Sequence, residues 1–184
     1  MTSNWDKVFE PENTEKYDVN MKYRRLNQEE LIELEQEFVR FLAAHSMPAS
    51  DWESLKRDQP EDAEKWIERF SDFVFEKTLS DVNYLELRTA HNIQIVKVDT
   101  VPFIMRGIRV IDNPYLNFLD ESSPQTWNKI LKEHGGKLQT FQATKTPKGT
   151  VNEAKFEFME NGYLILKDPN LFYSLENLQK NQSD

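Results

Sequence analysis

The sequence predicts an α+β fold: an N-terminal helical hairpin packed on a small, mostly antiparallel sheet, with one or two further helices. Three observations carry this. Between residues 27 and 79, apolar residues recur at steps of three and four behind helix-capping pairs. Residues 84–111 hold runs rich in Val, Ile, Tyr and Phe that partly alternate, as strands do. Turn punctuation then becomes dense, at Asp112-Asn113-Pro114, Gly135-Gly136, Pro147-Lys148-Gly149 and Asn161-Gly162.

Asn27 and Glu30 have the spacing of a capping box, in which the asparagine oxygen accepts a first-turn amide and the glutamate reaches back. The helix they start carries Leu31, Leu34, Phe38, Phe41 and His45 on one stripe, widened by Ile32, Val39 and Leu42, and Pro48 lies beyond its end. Ser50 and Glu53 repeat the spacing and predict a short helix over 50–59. Pro60 suits the first turn of a third. In that third helix Ala63, Trp66, Ile67, Phe70, Phe73 and Val74 follow the 3.6 period, extended by Phe75 and Leu79. Helices 27–45 and 61–79 are therefore expected to pack as an antiparallel pair.

Residues 84–90, 92–99 and 101–111 read as three adjacent antiparallel strands. In the second, Ile93, Ile95 and Lys97 alternate with Gln94, Val96 and Val98, which implies partial cover on both faces, with helices expected on one of them. The run PYLNFLD then presents Tyr115, Leu116, Phe118 and Leu119 in a loop or short turn. Ser123, Pro124 and Trp127 open a helix through Glu133, and Gly135-Gly136 closes it. A strand over 138–144 follows. Residues 150–166 admit two readings. A hairpin would use Phe156 and Phe158, a primed turn at Asn161-Gly162 and a return through Leu164 and Leu166. A helix followed by a strand would use Thr150 with Glu153 as capping pair and Gly162 as left-handed stop, two signals that agree with each other and favour it.

With 184 residues, 38% of them hydrophobic, the chain can bury one substantial core, and no internal repeat divides it. The expected organisation is an N-terminal arm or extension at 1–20, a single globular domain at 21–175 and a polar C-terminal tail at 176–184. Trp5, Val8 and Phe9 are too few apolar residues for the arm to fold alone. No apolar run approaches the roughly 18 residues of a membrane span, and the first residues lack the pattern of a signal peptide, so a cytoplasmic protein is expected.

The absence of cysteine excludes thiol catalysis, disulfides and cysteine metal sites. The net charge of −9 disfavours nucleic acid and anionic membrane surfaces as partners. That charge is uneven: residues 1–80 carry 11 basic and 19 acidic side chains, net −8, and residues 81–184 carry 12 and 13, net −1. A functional surface is expected in the second half.

Candidate chemistry is sparse. His45, His91 and His134 lie in separate segments without metal-ligand spacing, and the chain has no glycine-rich phosphate loop and no nucleophile elbow, so no cofactor and no metal is expected. Lys137, Lys145 and Lys148 flank flexible glycine amides and are candidate anion contacts, although scattered surface lysines explain them equally well. Arg106 and Arg109, three apart on a strand, should face opposite sides. The function these residues suggest is a non-enzymatic cytoplasmic protein-interaction module. Its contact surface would be Tyr115, Leu116 and Phe118, against the plainer reading that these residues cap the sheet. The alternative is a small ligand-binding protein or enzyme with a pocket between helices and sheet, using His91, Arg106, Arg109 and Asp112 as polar groups.

The run Met21-Lys22-Tyr23-Arg24-Arg25-Leu26, continuing NQEELIELEQEFVRFLAAH, with FSDFVFEKTLSDVNYLELRT at 70–89, resembles an uncharacterised family, a domain of unknown function, of small soluble proteins from Bacteroidota-type bacteria whose members begin MKYRRL. The resemblance spans about residues 21–110. It implies no activity, cofactor or site residue, and it makes residues 1–20 an extension beyond the shared domain.

Overall fold

The computed structural model describes residues 21–120 and 124–180. The expected arm at 1–20, the helix-opening Ser123 and the end of the expected tail at 181–184 lie outside the described residues. Among those described are seven helices and one five-stranded antiparallel sheet, which is the α+β class. The chain divides after Ser80 into two compact units, the point at which the charge count also divides.

The first unit holds α1 (Gln28–Glu33), α2 (Glu35–Ala44), α3 (Ala49–Asp58) and α4 (Pro60–Ser80). The Asn27–Glu30 capping box forms, with both reciprocal bonds present. The single helix expected over 27–45 is two, meeting at Leu34 (φ −101°, ψ 18°), but the apolar stripe continues because the Phe38 amide donates to the Leu34 carbonyl at 2.9 Å. Ser50 does not cap α3. That helix opens one residue earlier behind the extended Pro48, so Ser50 falls inside the first turn and donates to the Asp51 carboxylate instead.

Phe38 meets Phe70 at 4.9 Å between ring centroids, Phe41 meets Trp66 at 6.2 Å, and His45 meets Trp66 at 5.7 Å. Ascending positions on α2 thus touch descending positions on α4, the expected antiparallel pairing. Phe70, Leu26, Phe41 and Leu42 are the buried centre of this cluster. Residues 22–26 lie along α4: Asp72 accepts the amides of Lys22 and Tyr23, the buried Tyr23 donates its hydroxyl to Glu76, and the Leu26 amide donates to the buried Ser71.

The second unit is built on the sheet β4-β3-β2-β1-β5, from β1 (Tyr84–Arg88), β2 (Asn92–Lys97), β3 (Phe103–Ile111), β4 (Lys137–Lys145) and β5 (Leu164–Ile165). The three strands expected to be adjacent are adjacent, with Ile93 opposite Arg88 and Ile108. Strand alternation then sorts the side chains. Tyr84, Ile93, Ile95 and Ile108 share one face, where they pack with Trp127 of α5 (Pro124–His134) and with Phe172 and Leu175 of α7 (Asn170–Lys180). The opposite face carries Leu85, Val96, Met105 and Phe103, and Phe103 meets Phe158 of α6 (Val151–Glu160). Helices of this unit therefore line both faces, where the sequence pattern placed them on one.

Residues 150–166 adopt the helix-then-strand alternative. Thr150 and Glu153 complete a capping box, and Gly162 has the left-handed φ of 85° that ends a helix cheaply. The helix α7 overrides the expected polar tail from 176, since Phe172 and Leu175 anchor it in the core and its backbone stays helical to Lys180.

Candidate functional site

β3 stops where Asp112 takes φ 55°, and Asn113 sets the path of the loop that leaves it. Asn113 is buried: its side-chain oxygen accepts the amides of Tyr115 and Leu116, each at 2.9 Å, and its Nδ2 donates to the Gly135 carbonyl at 2.5 Å. This one side chain ties the start of the loop to the turn after α5. Gly136 is required there, because φ is 85° and a Cβ would meet the Asn113 Cβ and the Ile111 carbonyl.

Further along, the Phe118 amide donates to the Ala90 carbonyl at 2.8 Å, and Asn117 accepts the Leu119 amide while donating to Asp120. Leu116 and Phe118 point into the core, fully buried, with Phe118 edge-on to Trp127 at 4.8 Å. The expectation of an exposed Tyr115, Leu116 and Phe118 patch thus fails at two of its three positions: those two side chains cap the sheet. Tyr115 faces outward at 65% exposure, and so does Leu119 at 62%. The Tyr115 ring stacks on His134 at the last turn of α5, with centroids 4.3 Å apart.

The other candidate residues are not brought together. Arg106 and Arg109 do face opposite sides of the sheet. Arg106 is largely buried under α7, donating to Glu176 at 2.9 Å with its guanidinium over Phe172, while Arg109 donates to Gln139 on the other face. His91 is exposed in the turn between β1 and β2, where its carbonyl accepts the Val110 amide, and Asp112 is exposed beyond β3. The pocket alternative therefore loses the convergent polar groups it was built on.

The three lysines do not make one anion site either. Lys137 and Lys145 sit at opposite ends of β4, about 27 Å apart at the usual strand rise. Burial beside Phe158 holds the Lys145 ammonium below its ordinary pKa, and Glu157 at 3.8 Å works against that shift. Lys148 is near enough for its charge to add to the depression. Among the described residues, no group of three or more His, Asp or Glu side chains could hold a metal ion, and no helix is long and apolar enough to cross a membrane.

Sequence pattern misses His134 as the support of Tyr115, since nothing local pairs residues nineteen apart across a helix and a loop. It misses Leu119 because apolar type alone does not separate it from Leu116.

Neither the comparison with curated proteins nor that with solved structures found a match. A family profile does match, over residues 21–180, which takes in most of both compact units and leaves out residues 1–20. The chain belongs to that family, a family of unknown function designated DUF6495.

Proposed function

We propose that this protein is a non-enzymatic interaction module of the cytoplasm that engages a protein partner through the loop at 113–120. The observation that supports this reading is the pairing of rigidity with display. Leu116 and Phe118 anchor the loop in the core, Asn113 and Asn117 tie its backbone, and Tyr115 and Leu119 are left more than half exposed. An aromatic ring already ordered by its stack on His134 loses little rotamer freedom when a partner covers it, so more of its burial free energy is realised as affinity.

The test compares the wild-type chain with a Tyr115→Ser/Leu119→Ser variant as bait in a native lysate. Both changed side chains are exposed, so the fold should survive, and its melting curve verifies that. The reading requires at least one captured protein to be lost with the variant. Identical capture by the two baits refutes it.

A further inference from the structure

The first unit carries a second exposed apolar surface, and its charge indicates what would cover it. Ile32 is 65% exposed and Val39 59%. Leu31, Leu34 and Phe38 pack on one cluster, so the helical phase carries across the turn at Leu34; at 100° per residue Ile32, Val39 and Ala43 then fall within about 40° of one another, on a flank about 100° round from Leu31 and Phe38. Branched side chains lower helix propensity slightly, and these two stay more than half exposed, so their apolar surface is only partly used inside the unit. Carboxylates border the stripe on both sides, Glu35 on one and Glu29 and Glu33 on the other. The nearby Arg40 is engaged by Glu37 at 3.9 Å. Among the described residues, Glu29, Glu33 and Glu35 take part in no ion pair.

We infer that the Ile32–Val39 stripe of α1 and α2 docks a cationic amphipathic helix of a partner protein, whose apolar residues cover Ile32 and Val39 while its Lys or Arg side chains meet Glu29, Glu33 and Glu35. This is the arrangement by which paired helices place apolar seams centrally and charges at the flanks. A second copy of this chain is disfavoured as occupant, because it would bring the same carboxylates to the interface. The inference is independent of the loop at 113–120.

The test titrates the full chain with a synthetic amphipathic helical peptide, leucine on one face and lysine on its flanks, and with its counterpart carrying glutamate for lysine. The lysine peptide should bind at least about tenfold more tightly than the glutamate peptide, with affinity falling as salt rises. Ile32→Gln/Val39→Gln should weaken that binding by about tenfold or more. Glu29→Lys/Glu33→Lys/Glu35→Lys should invert the preference between the two peptides, which guards against a fold defect in the first variant. Tyr115→Ser/Leu119→Ser should leave the titration unchanged, so the two surfaces fail or stand separately. Equal binding of the two peptides, binding indifferent to Ile32→Gln/Val39→Gln, or self-association abolished by that double variant overturns the inference.

Discussion

Replacing Asn113 by alanine should loosen the whole display loop. The change deletes three hydrogen bonds: two accepted by the side-chain oxygen from the Tyr115 and Leu116 amides, and one donated to the Gly135 carbonyl. Each is worth about 1 kcal/mol net, and the Leu116 amide, on a fully buried residue, has no water to replace its partner, which adds a desolvation cost of its own. The sum is about 2–4 kcal/mol. Asn113→Asp keeps an acceptor for both amides but sets a carboxylate against the Gly135 carbonyl, so about 1–2 kcal/mol is expected. Urea unfolding followed by circular dichroism gives the stability change, and hydrogen exchange at the Tyr115 and Leu116 amides localises it. Those two amides should exchange roughly thirty- to a thousandfold faster in Asn113→Ala, the factor that 2–4 kcal/mol corresponds to. If both the unfolding midpoint and the two exchange rates stay at wild-type values, Asn113 does not hold the loop and the case for a preorganised surface collapses.

Two adjacent glycines should respond differently. Gly135→Ala meets only the cost of a left-handed φ of 77° in open space, about 1 kcal/mol, whereas Gly136→Ala adds a clash with Asn113 and Ile111 and should cost more than about 2 kcal/mol in the same denaturation assay. In the first unit, Phe70→Ala empties a fully buried ring site touching Phe38 and Phe41 and should cost about 3–5 kcal/mol, while Phe73→Ala, at a half-exposed position, should cost clearly less; equal losses would contradict the assigned core. Burial pushes the Tyr163 phenol above the ordinary tyrosine value, so the folded state holds a proton that the unfolded state releases first. That stabilisation is complete below about pH 10 and is lost as pH rises further, so Tyr163→Phe should flatten part of the alkaline fall in melting temperature, leaving the share due to Tyr84, which shifts the same way. At neutral pH the same variant should lose about 1 kcal/mol through the missing bond to Gln94.

Local signals that come in reciprocal pairs translated into structure. Asn27 with Glu30 and Thr150 with Glu153 each formed the box their spacing implied, because both partners sit within one helical turn and need nothing from elsewhere. Ser50 with Glu53 has the same spacing and forms none, since Pro48 already starts the helix and shifts Ser50 into its first turn. Strand order followed from chain order for β1, β2 and β3, where each connection is short. The α7 helix is legible in principle, with Asp168 before the start and Leu171, Phe172 and Leu175 at helical spacing, but the polar residues that follow make the segment look like a tail by composition. For the loop, residue type showed apolar content and a break after β3. Which apolar side chains turn inward depends on Asn113 reaching the turn after α5, twenty-two residues away, and no local pattern carries that.

The same distinction governs the acidic half. The apolar period over 27–45 widens at Ile32 and Val39, and a widened stripe is what a helix buried on a broad face also shows. Ile32 and Val39 stand about 100° from Leu31 and Phe38, so sequence alone cannot separate one wide core-facing stripe from a core stripe with a second one beside it. Exposure separates them: Phe38 packs against Phe70 and Trp52, and Ile32 and Val39 meet solvent. The net charge of −8 over residues 1–80 then changes meaning. As composition alone, it is a solvated shell and leaves residues 81–184 as the half with a nearly neutral surface. Placed on α1 and α2, part of it borders two apolar side chains that the fold leaves uncovered, and a surface with an apolar centre and charged flanks of one sign selects for the opposite sign in whatever covers it. Charge by itself therefore does not choose between the halves, and it bears more directly on the sign of the partner each surface can accept.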